Sequence, residues 1–286
     1  MAHCVVEAAE AILDQEFPVL DKGFVRLVDY LGGDERVVQA ARVSYGAGTK
    51  GYREDAGLID YLLRNQHTSP FEQVMLTFHV KLPVFVARQW IRHRTARLNE
   101  VSGRYSVLKD DFYLPAPEDI ALQSQDNKQG RGEALDAGAA EAVREALSAE
   151  QRRAYTAYTG LIGQGIAREL ARINLPLSLY TEWYWQIDLH NLFHFLELRL
   201  DAHAQKEIRL YAQALLDISR KVAPRCCESF ERHLLGGVSF SGEELAELRR
   251  RLGSADTGNL ALTGKAALTG KALERFEEKL LSGRQI

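Results

Sequence analysis

The chain has 286 residues, 46% hydrophobic and 26% charged, a composition typical of globular proteins with one large or two small domains. Its 36 Lys and Arg against 39 Asp and Glu leave a formal charge of −3, which excludes a broad nucleic-acid-coating surface but not a local anion site. No apolar run reaches the ~18 residues of a membrane span. The acidic N-terminus (Glu7, Glu10, Asp14, Glu16) lacks the basic start of a secretory signal, and three cysteines with no CxxC spacing predict reduced thiols in the cytoplasm.

In chain order, residues 1–20 read as an amphipathic or frayed helix ending at Pro18, and 24–31 as a strand. Gly32 and Gly33 turn the chain, and Asp34 is placed to cap a helix whose Val37, Val38 and Ala41 share a face. A second helix from about Asp55 buries Leu58, Ile59, Leu62 and Leu63. Beyond HTSPFEQ (67–73), Val74, Leu76, Phe78, Val80 and Leu82 alternate with Met75, Thr77, His79 and Lys81, the pattern of a half-buried strand. Pro83 suits the first turn of a helix over 83–94. Residues 95–110 read as irregular, 111–114 as a short strand, and the Gln-, Gly-, Asp- and Ala-rich stretch 118–140 as a mobile insertion.

A helix is predicted over about 140–172, with Ser148 and Gln151 as a capping box and Gly163 and Gly165 as a kink. Aromatic and β-branched residues make 177–187 a strand. Asp188 then caps a helix to about 200, and further helices fill 204–222 and follow Pro224. After residue 236, Ser241 and Glu244 form another capping box, and ALTGKA occurs twice in tandem (261–266, 267–272), too short to stack as a solenoid.

Several motifs carry no chemistry. Gly163-x-Gly165 lacks the third glycine of a dinucleotide fingerprint and follows a helix. The TGKA units lack the glycine spacing and the following Ser or Thr of a P-loop, and no GxSxG is present. Cys226 and Cys227, beside Phe230, read as small core or surface residues.

The segment RQWIRHRTARLNEVSGRYS places Arg88, Arg92, Arg94, Arg97 and Arg104 with His93 against one acid, Glu100. Arg88 and Arg92 share a helix face and repel, a cost that bidentate phosphate binding offsets. Ser102, Gly103 and Arg104 offer a hydroxyl, a backbone amide and a guanidinium within three residues, a plausible phosphate cradle. Val84, Phe85, Val86, Trp90 and Ile91 make this helix apolar enough to be buried, and buried arginines need partners.

A second segment, DLHNLFHFLELRLDAHAQKE, sets His190 and His194 one turn apart, with Glu197, Asp201, His203 and Glu207 beyond. That spacing serves metal ligands, groups around an organic ligand, or hydrogen-bonded histidines of a largely apolar helix. Arg199 on so hydrophobic a helix is a candidate ligand-facing cation. Read from residues alone, these clusters leave three functions open. One is an enzyme with an anionic-ligand site. Another is a metal-dependent hydrolase using His190, His194 and Glu197. The third is a non-enzymatic nucleotide- or RNA-binding module that stacks bases on Trp90 and Tyr105.

Arg92-His93-Arg94, seven residues and then Ser102, within an ungapped RHRxxxxNExSxRYS, resembles the signature of the flavin-dependent thymidylate synthases. HTSPFEQ (67–73), ARINLPLSLYTEWYW (171–185) and LRLDAHAQKEI (198–208) match the same family at its spacing, so the resemblance covers about residues 22–235. It leaves residues 1–21 and 236–286 as terminal extensions.

The resemblance implies an α+β fold with a mixed, largely antiparallel sheet flanked by helices. It implies reductive methylation of dUMP to dTMP, with 5,10-methylenetetrahydrofolate giving the methylene and NADPH reducing through FAD. It further implies a homotetramer with active sites shared between subunits. His67, Ser69, Arg92, His93 and Arg94 match flavin contacts, joined less directly by Ser44, Asp188, His190 and His194; Asp188 and His194 stand where some relatives carry asparagine. Gln89, Arg92, Ser102, Gly103, Arg104 and Arg172 match dUMP contacts, and Glu100 lies between the two ligands. Arg199 matches the arginine that stabilises ionised N3 of the uracil, which makes C5 nucleophilic without a protein nucleophile.

Overall fold

The computed structural model describes residues 4–43, 52–125 and 130–254, together with Gly270, Leu273 and Phe276. The chain divides into two compact units, Met1–Glu231 and Arg232–Ile286. In the first, α1 (Glu7–Glu10), β1 (Glu16–Val19), β2 (Gly23–Leu31), α2 (Asp34–Arg42) and α3 (Tyr52–Arg64) precede β3 (Met75–Pro83), α4 (Val84–Trp90) and β4 (Arg97–Glu100). Then follow β5 (Ala121–Gln123), β6 (Arg131–Ala134), α5 (Ala137–Gly163), α6 (Arg168–Ala171), β7 (Tyr180–Asp188), α7 (Leu189–Leu200), α8 (Lys206–Val222) and α9 (Pro224–Phe230).

The main sheet has the order β1-β2-β3-β7-β4, and every pairing in it is antiparallel. This is the α+β architecture expected from the sequence. One face is apolar and buried: Val25 and Leu27 of β2, Leu76, Phe78, Val80 and Leu82 of β3, and Trp183, Trp185 and Ile187 of β7. The alternation of β3 is as predicted, with Met75, Thr77, His79 and Lys81 half-buried on the other side. Against the core lies α8, whose Ile208, Tyr211, Ala212, Leu215 and Leu216 recur at helical spacing and are all buried.

The geometry of the site follows from the β3–β7 ladder, which pairs Met75 with Asp188 and Pro83 with Tyr180. Strand β3 runs into α4 at Pro83, and β7 runs into α7 at Asp188. The two helices therefore leave the ladder from opposite ends and converge over its apolar face. Trp90 seals the convergence, its ring 4.8 Å from Phe195, 5.1 Å from Trp185 and 5.6 Å from Trp183. Each such aromatic pair adds ~0.5–1.5 kcal/mol beyond the area it buries.

Several elements differ from expectation. The N-terminal helix is only one turn, and Pro18 lies in β1, where an edge strand tolerates the missing N–H; part of the supposed N-terminal extension thus completes the sheet. Gly32 turns the chain with φ +76°, but Asp34 does not cap its own helix. Its carboxylate instead accepts from the amides of Arg225 (2.9 Å) and Cys226 (3.0 Å) at the start of α9. Helix 83–94 contracts to α4, with Pro83 as its N-cap. Within the supposedly irregular 95–110, β4 forms because the edge of β7 supplies its backbone partners. Residues 111–114 contribute only a single bridge, Phe112 to Leu179.

The stretch expected as a mobile insertion contains the β5–β6 hairpin and the start of α5. Asp136 caps α5, accepting from the amides of Gly138 and Ala139. Ser148 and Gln151 are mid-helix rather than a cap; Gln151 donates to Tyr113 O (2.9 Å) and Ser178 Oγ (3.2 Å). Gly163 ends the helix instead of kinking it. In the second unit, α10 (Gly242–Ser254) begins at the predicted capping box: Glu244 N donates to Ser241 Oγ, and Ser241 N to Glu244. The tandem ALTGKA units, Gly270 apart, lie outside the described residues.

Candidate active site

The arginine segment starts on α4 and continues through the turn after it. Only Val86, Ala87 and Trp90 of α4 are buried; Arg88, Arg92, Arg94 and Arg97 are exposed. The expectation of buried, partnered arginines is therefore corrected: α4 turns its apolar stripe inward and Arg88 outward, and Arg92, Arg94 and Arg97 follow in the exposed turn and strand beyond it. Among the described residues none of these four side chains has an ion-pair partner, so the surface keeps its positive field. Arg104 differs: its Nε lies 3.1 Å from Glu169, with both groups more than half exposed, a pairing worth little in water.

Beyond β4, the hydroxyl of Ser102 accepts from the amide of Arg104 at 3.3 Å, closing a tight turn. Gly103 is buried beneath Arg172, and a Cβ added there would stand 3.1 Å from Arg172 Cδ. Ser102, Gly103, Arg104 and Arg172 thus form one cluster. Glu100 is fixed on β4 by a 2.5 Å hydrogen bond from Thr181 Oγ1. The Gln89 amide on α4 donates to Gln205.

In HTSPFEQ, Pro70 and Phe71 are buried, Phe71 packing 6.4 Å from Phe193 of α7, while His67 and Ser69 are exposed. The motif thus anchors itself with one half and presents polar groups with the other. Among the described residues no hydrogen bond or ion pair joins His67 or Ser69 to the arginines.

Helix α7 supplies the opposing wall. Asp188 caps it as predicted, but both its carboxylate oxygens are engaged by Asn191, at 2.9 and 2.7 Å. His190 is half-buried and His194 is exposed. Arg199, half-buried in the last turn, donates from Nε to His93 Nε2 at 3.0 Å. The His93 ring lies edge-on to Phe195 at 4.8 Å and 5.9 Å from His194. Burial, then the Arg199 charge, then His194 bring the His93 pKa down to about 4. Burial also lowers that of Arg199, which among the described residues has no acidic partner. Ser44 lies outside the described residues.

The structure therefore unites His93, His194 and Arg199 in one group, and residues 102–104 with Arg172 in another. Sequence reasoning missed Gln205 and Thr181, although both stand inside motifs it had marked. Glu207, named in the sequence only as an acid beyond the histidine pair, is a buried carboxylate that accepts from Tyr113 Oη (3.0 Å), Gln205 (2.8 Å) and Arg131. Among the described residues no cluster of three or more His, Cys, Asp or Glu could hold a metal, which removes support for a hydrolase built on His190, His194 and Glu197. None of the described helices is long and apolar enough to cross a membrane.

Fold and site define an α+β protein with an open arginine face beside a half-buried arginine that has no acidic partner among the described residues, an arrangement suited to anionic ligands. The family model described as "Thymidylate synthase complementing protein" matches residues 26–225, and "Thymidylate synthase ThyX C-terminal domain" matches 238–286. A flavin-dependent thymidylate synthase of Treponema denticola is 65% identical, covering 96% of this chain and 100% of the relative; that of Treponema pallidum is 62% identical, covering 100% and 91%. Two crystal structures of the UMP/dUMP methylase PolB from Streptomyces cacaoi are also similar. The one with 5-Br UMP is 34% identical, with a TM-score of 0.68 over 75% of this chain and 96% of that one. The one with 5-Br dUMP is 32% identical, with a TM-score of 0.69 over 76% and 98%. The chain belongs to the flavin-dependent thymidylate synthases, a family of methyltransferases.

Proposed function

We propose that the chain converts dUMP to dTMP in the cytoplasm, with 5,10-methylenetetrahydrofolate as one-carbon donor, NADPH as reductant and FAD as cofactor, tetrahydrofolate leaving unoxidised. The observation that carries this reading is Arg199: a half-buried guanidinium with no acidic partner among the described residues, beside an exposed arginine face. A fixed cation beside N3 of the uracil favours its ionised form, and the electron density gained at C5 makes that carbon the nucleophile.

The donor set fits FAD. Arg92 and Arg94 are exposed guanidinium groups, without an ion-pair partner among the described residues and suited to a diphosphate, and His67 and Ser69 expose hydrogen-bonding groups. These residues with His93 would hold the cofactor, joined by Ser44, Glu100, Asp188, His190 and His194. When bound, FAD supplies the passage of reducing equivalents from NADPH to the transferred carbon. Gln89, Arg92, Glu100, Ser102, Gly103, Arg104 and Arg172 hold dUMP, the arginines taking its phosphate and Arg199 its base. A thiolate nucleophile finds no support, since burial pushes the Cys226 and Cys227 thiols far up. We further propose a homotetramer in which the turn at 102–104 serves a neighbouring subunit's site, and a catalytic domain that takes in β1 and runs to about residue 235, carrying a C-terminal extension.

The test is to load purified protein with FAD, desalt it, and follow its absorption under NADPH without oxygen, then assay dTMP formation from dUMP with UMP run in parallel. A retained flavin band that bleaches, with turnover of dUMP, is expected. Arg199→Ala should keep the flavin and lose turnover. Folded protein that keeps no flavin would overturn the assignment.

A further inference from the structure

We infer that His93 is a positioning residue for Arg199: its Nε2 accepts the Arg199 Nε–H and aims the guanidinium at the substrate without neutralising it. The proposal rests on the reading of Arg199 given above and adds a second residue to it.

The 3.0 Å contact requires a lone pair on His93 Nε2, so the ring proton sits on Nδ1. The ring itself is held. Its backbone amide donates to Trp90 O at 3.0 Å, and its edge packs on Phe195, which is buried against Trp90. An arginine has five N–H donors and many rotamers; tying Nε fixes the plane of the fork and leaves both terminal nitrogens for a ligand.

The chemistry of the acceptor matters as much as its place. A carboxylate would hold Arg199 more tightly, but it would cancel the field that an ionised uracil needs. A neutral imidazole orients the cation and leaves its charge whole. The groups that face His93 are themselves cationic or neutral: Arg199 and His194 from α7, with Arg92 and Arg94 flanking it in the chain. Among the described residues no carboxylate hydrogen-bonds to it. The imidazole is accordingly neutral at physiological pH, the state in which the acceptor exists.

Three variants test this in the flavin-loaded enzyme. His93→Gln reaches about as far as Nε2 with an uncharged acceptor. His93→Leu removes the acceptor. His93→Asn is polar but too short. Steady-state rates give kcat and KM. The ¹⁹F resonance of bound 5-fluoro-dUMP, followed against pH, reports ionisation of N3 without turnover. His93→Leu is expected to lose ~10²-fold in kcat, the scale of a misplaced catalytic group, and to move the N3 ionisation of the bound ligand toward that of the free one. His93→Gln should recover most of both, with His93→Asn resembling Leu. If His93→Leu releases its flavin, the Gln–Asn comparison carries the test.

Arg199→Ala run alongside separates the two claims. Normal turnover and an unchanged N3 titration in that variant would remove the role of Arg199 itself. An inactive Arg199→Ala beside a His93→Leu enzyme with normal kcat and N3 titration would overturn the positioning role alone. So would a Gln variant no better than Leu, or no better than Asn where Leu has released its flavin.

Discussion

Arg172 lies directly against Gly103: a Cβ on that glycine would stand 3.1 Å from Arg172 Cδ and 3.2 Å from its Nη1, and 2.9 Å from Leu108 Cδ1. The side chain with which Arg172 would reach a phosphate is thus shaped by the absence of a methyl group 69 residues earlier in the chain. Gly103→Ala must displace Arg172 or Leu108. We expect dUMP affinity to fall about tenfold, the equivalent of ~1.4 kcal/mol, in a protein that still folds. Titration calorimetry with dUMP checks this, and unchanged affinity would separate Gly103 from substrate binding.

Glu207 gathers Tyr113, Gln205 and Arg131 on one buried carboxylate. Burial alone would raise its pKa; the hydrogen bond and charge of Arg131, with a backbone amide and Gln205, outweigh burial and leave it below the usual range. A depressed carboxylate contributes stability that is present above its unfolded pKa, about 4.3, and is lost as pH falls through the lower folded value. Glu207→Gln should therefore cost ~1–3 kcal/mol at pH 7 and less as the pH drops below 4. Urea unfolding at the two pH values measures this, and an equal loss at both would contradict it.

Asp34 closes the fold by capping α9 from 191 residues away. Asp34→Ala is expected to destabilise the protein by ~1–2 kcal/mol, and Asp34→Asn, which keeps a side-chain oxygen, by less. Denaturant midpoints order the three proteins. Equal midpoints for Ala and wild type would mean that the cap carries no weight.

Cys226 and Cys227 are buried, and desolvation, added to by the Asp34 charge, raises both thiols. Neither should react with a thiol-specific disulfide reagent until the protein unfolds, whereas the partly exposed Cys4 should. The double variant Cys226→Ala, Cys227→Ala should form dTMP at the parent rate per bound flavin. A hundredfold loss with flavin retained would return a thiol to the mechanism.

Much of this protein is legible wherever the determining interactions are local. The period-two alternation of residues 74–82 specifies β3, because a strand half in water must alternate. Asp188 and Ser241 are caps in the structure as in the sequence, since a cap needs only its own next three residues. The concentration of arginines over 88–104 is plain from composition alone. What the sequence could not decide depends on partners brought near by folding. RLNE becomes β4 only because β7 offers an edge; EFPV becomes β1 only because β2 does. Asp34 caps a distant helix rather than its own. Arg88 of α4 points outward because Trp90 claims the inner face. The His93–Arg199 contact joins residues 106 apart. No periodicity encodes such a pair; it arises because two helices leave opposite ends of one antiparallel ladder and converge over the same apolar face.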